Sequence, residues 1–371
     1  MLKECSKKAF INELKKKKTL LVIGTGRVLQ YANDYLKDAI PNELEIHLID
    51  NDKTKQGSLL SFGGKTLPVE GWSTVERMAD EKTFAFITCA KYEELLEQLQ
   101  NNTKTSCMDV TCYSLMPGMD FEEFAMSKEL PSDMVRSDKQ LIPKKFHYCW
   151  LGGKPLPDKN KYLIDGWHKM CPDYEIIKWD ESNYDFTKIP YMKQALEQKI
   201  WGFVPDYARL DIVYQQGGIY LDTDVEIIKP FDDLLYQEGF AGFEYATSVN
   251  LGQGFGAMPH HPMIKEMRDD YENRSFLLED GTPDLTASPV LQTEVLVKNG
   301  LITNGEYQVI GGLTIYPEKM FCAKNIHTMC IQVKEYTHSI HHFDGSWATE
   351  EAKEWNRELE KTMSAFIKDN R

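Results

Sequence analysis

Asp222 and Asp224 stand one residue apart in Gly217-Gly218-Ile219-Tyr220-Leu221-Asp222-Thr223-Asp224-Val225-Glu226. On an extended chain residues i and i+2 project to the same side, so two carboxylates are expected to converge on one spot. Like charges held together repel, most strongly where water is scarce, and a cation is the simplest partner; an all-oxygen site suits Mg²⁺ or Mn²⁺. Taken alone, the tripeptide fits a strand end with two solvated aspartates equally well. Just upstream, Pro205 to Gln216 reads as a helix with proline in its first turn and Gly217-Gly218 as its stop. Tyr207, Leu210, Val213 and Tyr214 make its buried stripe, and Asp206 and Arg209, three apart, share a neighbouring face. Spacing alone reads that pair as an ordinary intrahelical ion pair near the positive end of the helix dipole. Earlier still, Ile142 to Gly153 is an apolar run into Trp150 and paired glycines. This places a large aromatic at the carboxyl end of a strand, where open α/β sheets bind ligands. Trp150 is therefore either a platform for a nucleotide base or a core residue.

The elements that must position these residues fall into two blocks. A length of 371 residues suggests two domains. In the first third, Thr19 to Ile23 reads as a buried strand running into Gly24-Thr25-Gly26, then a helix, then a strand from Leu44 to Ile49 that ends on Asp50. Strand, glycine turn, helix, strand and terminal acid make a βαβ unit of the nucleotide-binding type, although Leu29 stands where the third fingerprint glycine belongs. Strands near Lys65 to Val69 and Phe84 to Thr88 and a helix from Tyr92 extend the pattern. The expected organisation is a small Rossmann-like α/β domain over 1–113, a linker over 114–140 marked by Pro117-Gly118 and Pro131-Ser132, and a larger α/β domain over 141–371. Ala352, Trp355, Leu359, Met363, Phe366 and Ile367 recur at helical spacing and predict a C-terminal helix docked on that domain.

Totals narrow the function classes. A formal charge of −14 argues against unspecific nucleic-acid binding, and the one short basic run, Lys15 to Lys18, reads as a solvated helix end and not as a polybasic membrane anchor. The sequence has no apolar stretch of membrane-spanning length and no secretory signal core, so a cytoplasmic location is expected. Eight scattered cysteines with no Cys-x-x-Cys pair are expected to be reduced. Asn250 to Pro262 is glycine-rich but lacks the lysine and strand-to-helix setting of a phosphate loop. His260, His261, His327 and His338 form no metal-ligand spacing.

Read in order, Ile142 to Trp150, Pro205-Asp206-x-x-Arg209, the block from Gly217 to Asp224, and His341-His342-Phe343-Asp344-Gly345-Ser346-Trp347 resemble the DXD-type sugar transferases of glycosyltransferase family 32. That family includes α-mannosyltransferases and capsular-polysaccharide transferases and is distantly similar to the large glucosylating toxins. The resemblance spans about 140–350 and implies an α/β catalytic domain of GT-A type, a UDP- or GDP-sugar donor, Mn²⁺ or Mg²⁺, and transfer with retention to a glycan or lipid-linked acceptor. It implies that Trp150 stacks on the base, Asp206 binds ribose or sugar hydroxyls, and Arg209 contacts the donor. Asp222 and Asp224 would hold the cation, and Ser346 and Trp347 would close over the diphosphate. His341 is taken as the third metal ligand, with His342 and Ser346 left open. Asn250 or Gln253 would approach the donor sugar or the acceptor, and Ser288-Pro289 replaces the family's Gly-Pro. The role implied is surface-polysaccharide synthesis, for capsule or lipopolysaccharide, with peripheral contact at the inner membrane face. Two other readings compete: an NAD-dependent oxidoreductase built on Gly24 and Gly26, and a non-catalytic protein that binds nucleotide sugars.

Overall fold

A computed structural model of the chain describes residues 2–37, 39–89, 92–134, 136–245, 247–326 and 328–345. These residues form two compact units, one within Met1–Glu122 and one within Glu123–Thr362.

The first unit is an α/β sheet of six strands: β1 (Thr19–Ile23), β2 (Glu45–Ile49), β3 (Leu59–Phe62), β4 (Lys65–Glu70), β5 (Thr83–Ile87) and β6 (Asp109–Cys112). They lie in the order β3-β4-β2-β1-β5-β6, parallel except for β3 at the edge. Every residue of β1 and β5 is buried, as expected of central parallel strands covered on both faces. Its helices are α1 (Lys7–Leu14), α2 (Arg27–Tyr35), α3 (Trp72–Met78), α4 (Tyr92–Asn101) and α5 (Met116–Met126), the last running past the unit boundary. Pro117-Gly118, expected to interrupt regular structure, lies inside the first turn of α5. There a proline gives up an N–H that has no helical acceptor, so the helix begins earlier than its apolar pattern suggests.

The second unit comprises β7 (Lys145–Cys149), α6 (Asp158–Met170), β8 (Glu175–Trp179), α7 (Pro190–Glu197), α8 (Pro205–Gln216), β9 (Gly218–Tyr220), β10 (Val225–Ile227), β11 (Gly239–Glu244), β12 (Ser248–Asn250), β13 (Phe255–Ala257), α9 (Pro262–Glu272), α10 (Ser288–Lys298), β14 (Gln308–Ile310), β15 (Leu313–Tyr316) and β16 (Ser339–His341). Its main sheet runs β14-β15-β11-β13-β9-β7-β8, with β12 on β11, and mixes parallel with antiparallel pairs. α8 begins at Pro205 and stops where Gly217 adopts φ +61°, a left-handed conformation that glycine enters without a Cβ clash.

Three features of this unit place the site. β7 and β9 are parallel with His147 opposite Tyr220, so Trp150 and the Asp222 to Asp224 segment leave the sheet at one edge. β10 and β16 form a separate antiparallel ribbon with Val225 opposite His341, which carries a histidine from far along the chain to the aspartates. The indole N–H of fully buried Trp167 on α6 donates to the Val225 carbonyl at 2.8 Å and ties the ribbon to the core. The C-terminal helix expected from Ala352 onward lies outside the described residues.

Candidate active site

Asp222-Thr223-Asp224 is a turn between β9 and β10, not a continuing strand: the Val225 N–H donates to the Asp222 carbonyl at 3.1 Å. The expected convergence through strand alternation is thereby corrected, because the bend and its partners orient the carboxylates instead. Asn160 on α6 donates from its amide to both the carbonyl and the hydroxyl of Thr223, each at 3.1 Å. On the other side the Asp222 N–H donates to the Gly252 carbonyl at 2.9 Å, and the Gly252 N–H donates to Asn250 Oδ1 at 2.7 Å.

Asp222, Asp224 and His341 each offer a ligand atom, and these atoms all lie within 4.8 Å of one another. Two carboxylates and an imidazole are a donor set that fits Mn²⁺, which accepts oxygen and nitrogen ligands. His341 Nε2 lies 3.4 Å from Asp224 Oδ1, and the backbone N–H of Asp344 donates to Asp224 Oδ2 at 2.9 Å. His342, the alternative, points to Glu226 at 2.8 Å. Burial alone would favour a neutral Asp224, but the neighbouring His341 and the Asp344 amide hold its carboxyl well below the usual carboxylate range. Burial opposes charge on His341 as well, and Asp224 overcomes it, lifting the imidazole to about 9.

The Asp206–Arg209 pair is not the ordinary surface pair that its spacing suggests. Both are nearly sealed, at 2% and 5% exposure, and every residue from Asp206 to Val213 on α8 is buried. Arg209 Nη2 lies 3.0 Å from Asp206 Oδ1 and 3.8 Å from Asp222 Oδ1, so one guanidinium links helix and turn. Its plane also lies over the Tyr220 ring, 5.2 Å from the centroid. Burial pushes the Asp206 carboxyl up to about 7, with Arg209 opposing and Asp222 adding to the rise. Burial works against Arg209's charge, yet Asp222, Tyr220 and Asp206 raise its pKa further. A permanent cation held beside two acids can meet anionic oxygens of a ligand without reorganising.

Trp150 is half-buried against the core, and its indole N–H donates to the Lys154 carbonyl at 2.6 Å. Asn250 supports Gly252, and the Gln253 amide nitrogen donates to the Gly242 and Phe243 carbonyls at 3.0 Å each, while its amide oxygen is buried without a partner among the described residues. His338 pairs with Asp233 at 2.8 Å and His261 caps α9, while His327, Ser346 and Trp347 lie outside the described residues. In the first unit Asp50 accepts from the Thr25 N–H at 2.9 Å and hydroxyl at 2.6 Å and pairs with Lys55 at 2.9 Å, so the carboxylate that a ribose would need is already engaged. Sequence reasoning missed Asn160 and Gly252, whose parts depend on chain segments meeting across the sheet; neither carries a local motif.

Residues 157–241 match the family model described as "Glycosyltransferase sugar-binding region containing DXD motif". The chain is 25% identical over 215 residues, 54% of its length and 66% of the relative's, to inositol phosphoceramide mannosyltransferase 1 of Schizosaccharomyces pombe. It is 36% identical over 66 residues, 18% of either chain, to alpha-1,4-N-acetylglucosaminyltransferase of Homo sapiens. The chain thus spans less than two thirds of the length of these curated relatives. Among solved structures, the PaToxG glycosyltransferase aligns over 48% of this chain and 74% of its own, at 18% identity and a TM-score of 0.35.

Proposed function

We propose that the chain is a metal-dependent, retaining transferase of GT-A type, a reading supported by the match of residues 157–241 to the DXD-containing sugar-binding region. It moves a hexose from a UDP- or GDP-sugar to a hydroxyl of a glycan or lipid-linked acceptor. The observation that carries this reading is the meeting of Asp222, Asp224 and His341 within 4.8 Å, with the buried Arg209 bridging to Asp222.

When bound, the divalent cation supplies Lewis-acid stabilisation of the diphosphate that leaves the anomeric carbon. Asp222 and Asp224 would hold it, with His341 completing the set. Arg209 sets a second positive charge against the donor, and Asp206 receives ribose or sugar hydroxyls. Trp150 supplies a stacking face for the base at the carboxyl edge of β7. Asp222 and Asp224 would be taken up by the cation, and Asp206 lies against Arg209, so none is assigned as a nucleophile. The acceptor oxygen forms its bond to the anomeric carbon on the face from which the diphosphate departs, and the acceptor proton passes to that diphosphate. No helix among the described residues is long and apolar enough to cross a membrane. A cytoplasmic enzyme of capsule or lipopolysaccharide assembly, meeting its acceptor at the inner membrane face, is the setting that this reading favours.

The test is donor hydrolysis without acceptor, across UDP- and GDP-hexoses with Mn²⁺ and with chelator. Wild type should hydrolyse one donor class only with metal present, and Asp224→Asn should stay folded and lose both hydrolysis and Mn²⁺-dependent nucleotide binding. Full activity of that variant would end the metal-site argument.

A further inference from the structure

Phe343, two residues past His341, has a left-handed backbone with φ +55°. A bulky residue enters that region at a steric cost, and the conformation persists only where its surroundings fix it. What surrounds it here is the turn at Asp222 to Asp224. On one side of Phe343 the His342 N–H donates to the Asp224 carbonyl at 3.0 Å, which continues the ribbon of β10 and β16. On the other side the Asp344 N–H comes back to Asp224 Oδ2 at 2.9 Å. A ribbon that ran on in register would aim that N–H at the Asp222 carbonyl, so the left-handed turn at Phe343 is what sets both amides on one aspartate. The Phe343 ring meanwhile lies against the His341 imidazole, with centroids 4.3 Å apart and planes at 43°. Both ends of this clamp are tied down. His342 Nε2 lies 2.8 Å from Glu226 Oε2, and the Asp344 carboxylate pairs with Lys159, the neighbour on α6 of the Asn160 amide that holds Thr223. Phe343 is half-buried, and its side chain has no atom that could ligate a cation.

We propose that Phe343 is a positioning residue for the cation: the turn at its backbone fixes Asp224, and its ring fixes the imidazole of His341, before metal and nucleotide arrive. A carboxylate and an imidazole left free to rotate would each have to be ordered on binding, and that cost falls on affinity. The inference rests on the reading of Asp222, Asp224 and His341 as the cation site.

The experiment compares wild type with three variants. Phe343→Tyr keeps ring and turn, Phe343→Gly keeps the turn and loses the ring, and Phe343→Val carries a branched side chain that resists a left-handed backbone. Calorimetric Mn²⁺ titration is run with UDP or GDP present, beside melts of the metal-free protein and hydrolysis of UDP- and GDP-hexoses. The Mn²⁺ dissociation constant should stay within about twofold in Phe343→Tyr. It should rise about tenfold or more in Phe343→Gly and Phe343→Val, as when other groups that support metal ligands are changed. Metal-free Phe343→Gly should nevertheless melt within about 4 °C of wild type. In a His341→Ala background the loss from Phe343→Gly should shrink to about twofold, since the ring acts through the imidazole. If Phe343→Val fails to fold, the glycine variant carries the comparison. Wild-type affinity in folded Phe343→Gly, an equal loss in Phe343→Tyr, or additive losses with His341→Ala would overturn the proposal; so would loss of fold in Phe343→Gly, which marks a structural ring. A wild type that binds Mn²⁺ with nucleotide yet hydrolyses no nucleotide sugar overturns the proposed transfer and leaves this inference standing, whereas one that binds no cation overturns both.

Discussion

Gly252 gives the sharpest geometric test of where the cation sits. A Cβ built on it would lie 2.2 Å from Asp222 Oδ2, 3.0 Å from Arg209 Nη1 and 3.1 Å from Asn250 Oδ1. Carbon and oxygen cannot share that distance, so in Gly252→Ala the Asp222 carboxylate must recede by about 1 Å or more. It has room to do so: the side chain is 30% exposed, and both backbone hydrogen bonds of Gly252 survive an alanine. Metal-ligand distances tolerate only about 0.2 Å, so a carboxylate displaced that far leaves the set that it forms with Asp224 and His341. Even support residues of metal sites cost about 10- to 100-fold in affinity when changed, so the Mn²⁺ dissociation constant should rise at least about tenfold, or about 1.4 kcal/mol. Stability should move by no more than about 1 kcal/mol. The assay is calorimetric Mn²⁺ titration with UDP or GDP present, beside thermal melts, on wild type, Gly252→Ala, Asp222→Ala and the double variant. Because both single changes act through one carboxylate, the double variant should bind no worse than Asp222→Ala. Wild-type Mn²⁺ affinity in a folded Gly252→Ala, or additive losses in the double variant, would refute the reasoning.

Three further outcomes follow from the same geometry. Arg209→Met leaves the Asp206 and Asp222 carboxylates without their shared cation and should cost about 3–5 kcal/mol in urea unfolding, with part recovered on adding Asp206→Asn; simple additivity of the two losses contradicts a buried pair. His147 is neutral in the fold, since its Nε2–H donates to the Gly217 carbonyl at 2.8 Å and its Nδ1 accepts from the Trp179 indole at 3.2 Å, and burial pulls it from 6.5 to about 4. A depressed folded pKa means stability that is present above the unfolded value and lost as pH falls through the folded one, so about 3 kcal/mol should disappear between 6.5 and about 4; a urea midpoint whose pH slope is identical in His147→Gln would refute this. Trp150→Ala should weaken nucleotide binding by about tenfold, as expected for losing one stacked base, with little change in melting temperature; unchanged affinity with a collapsed melt would make Trp150 a core residue.

What the sequence disclosed followed the range over which its signals act. Pro205 and Gly217 are local punctuation, and α8 runs between them as read, because a missing N–H and a left-handed φ act on neighbouring atoms. The burial of Asp206, Arg209 and Asp211 on that helix was invisible, since the apolar stripe of Tyr207, Leu210, Val213 and Tyr214 says where one face goes and nothing about partners that close over the others. The central strands β1 and β5 were legible as apolar runs, whereas the three-residue strands β10 and β16 offer no periodicity to count. Yet the pairing of Val225 with His341 is what brings the imidazole to Asp224, a meeting of segments far apart along the chain. The turn at Asp222 to Asp224 carries the same lesson in smaller form. Its carboxylates are aimed by the Asn160 amide on one side and the Gly252 bend on the other, two residues that have no chemistry of their own to advertise. A site assembled this way resists single-residue reasoning, because replacing Gly252 would disturb the aspartate without touching any ligand atom through a bond. The residues that position the chemistry are found by asking what an added methyl group would strike, and at Gly252 it would strike Asp222, Arg209 and Asn250 together.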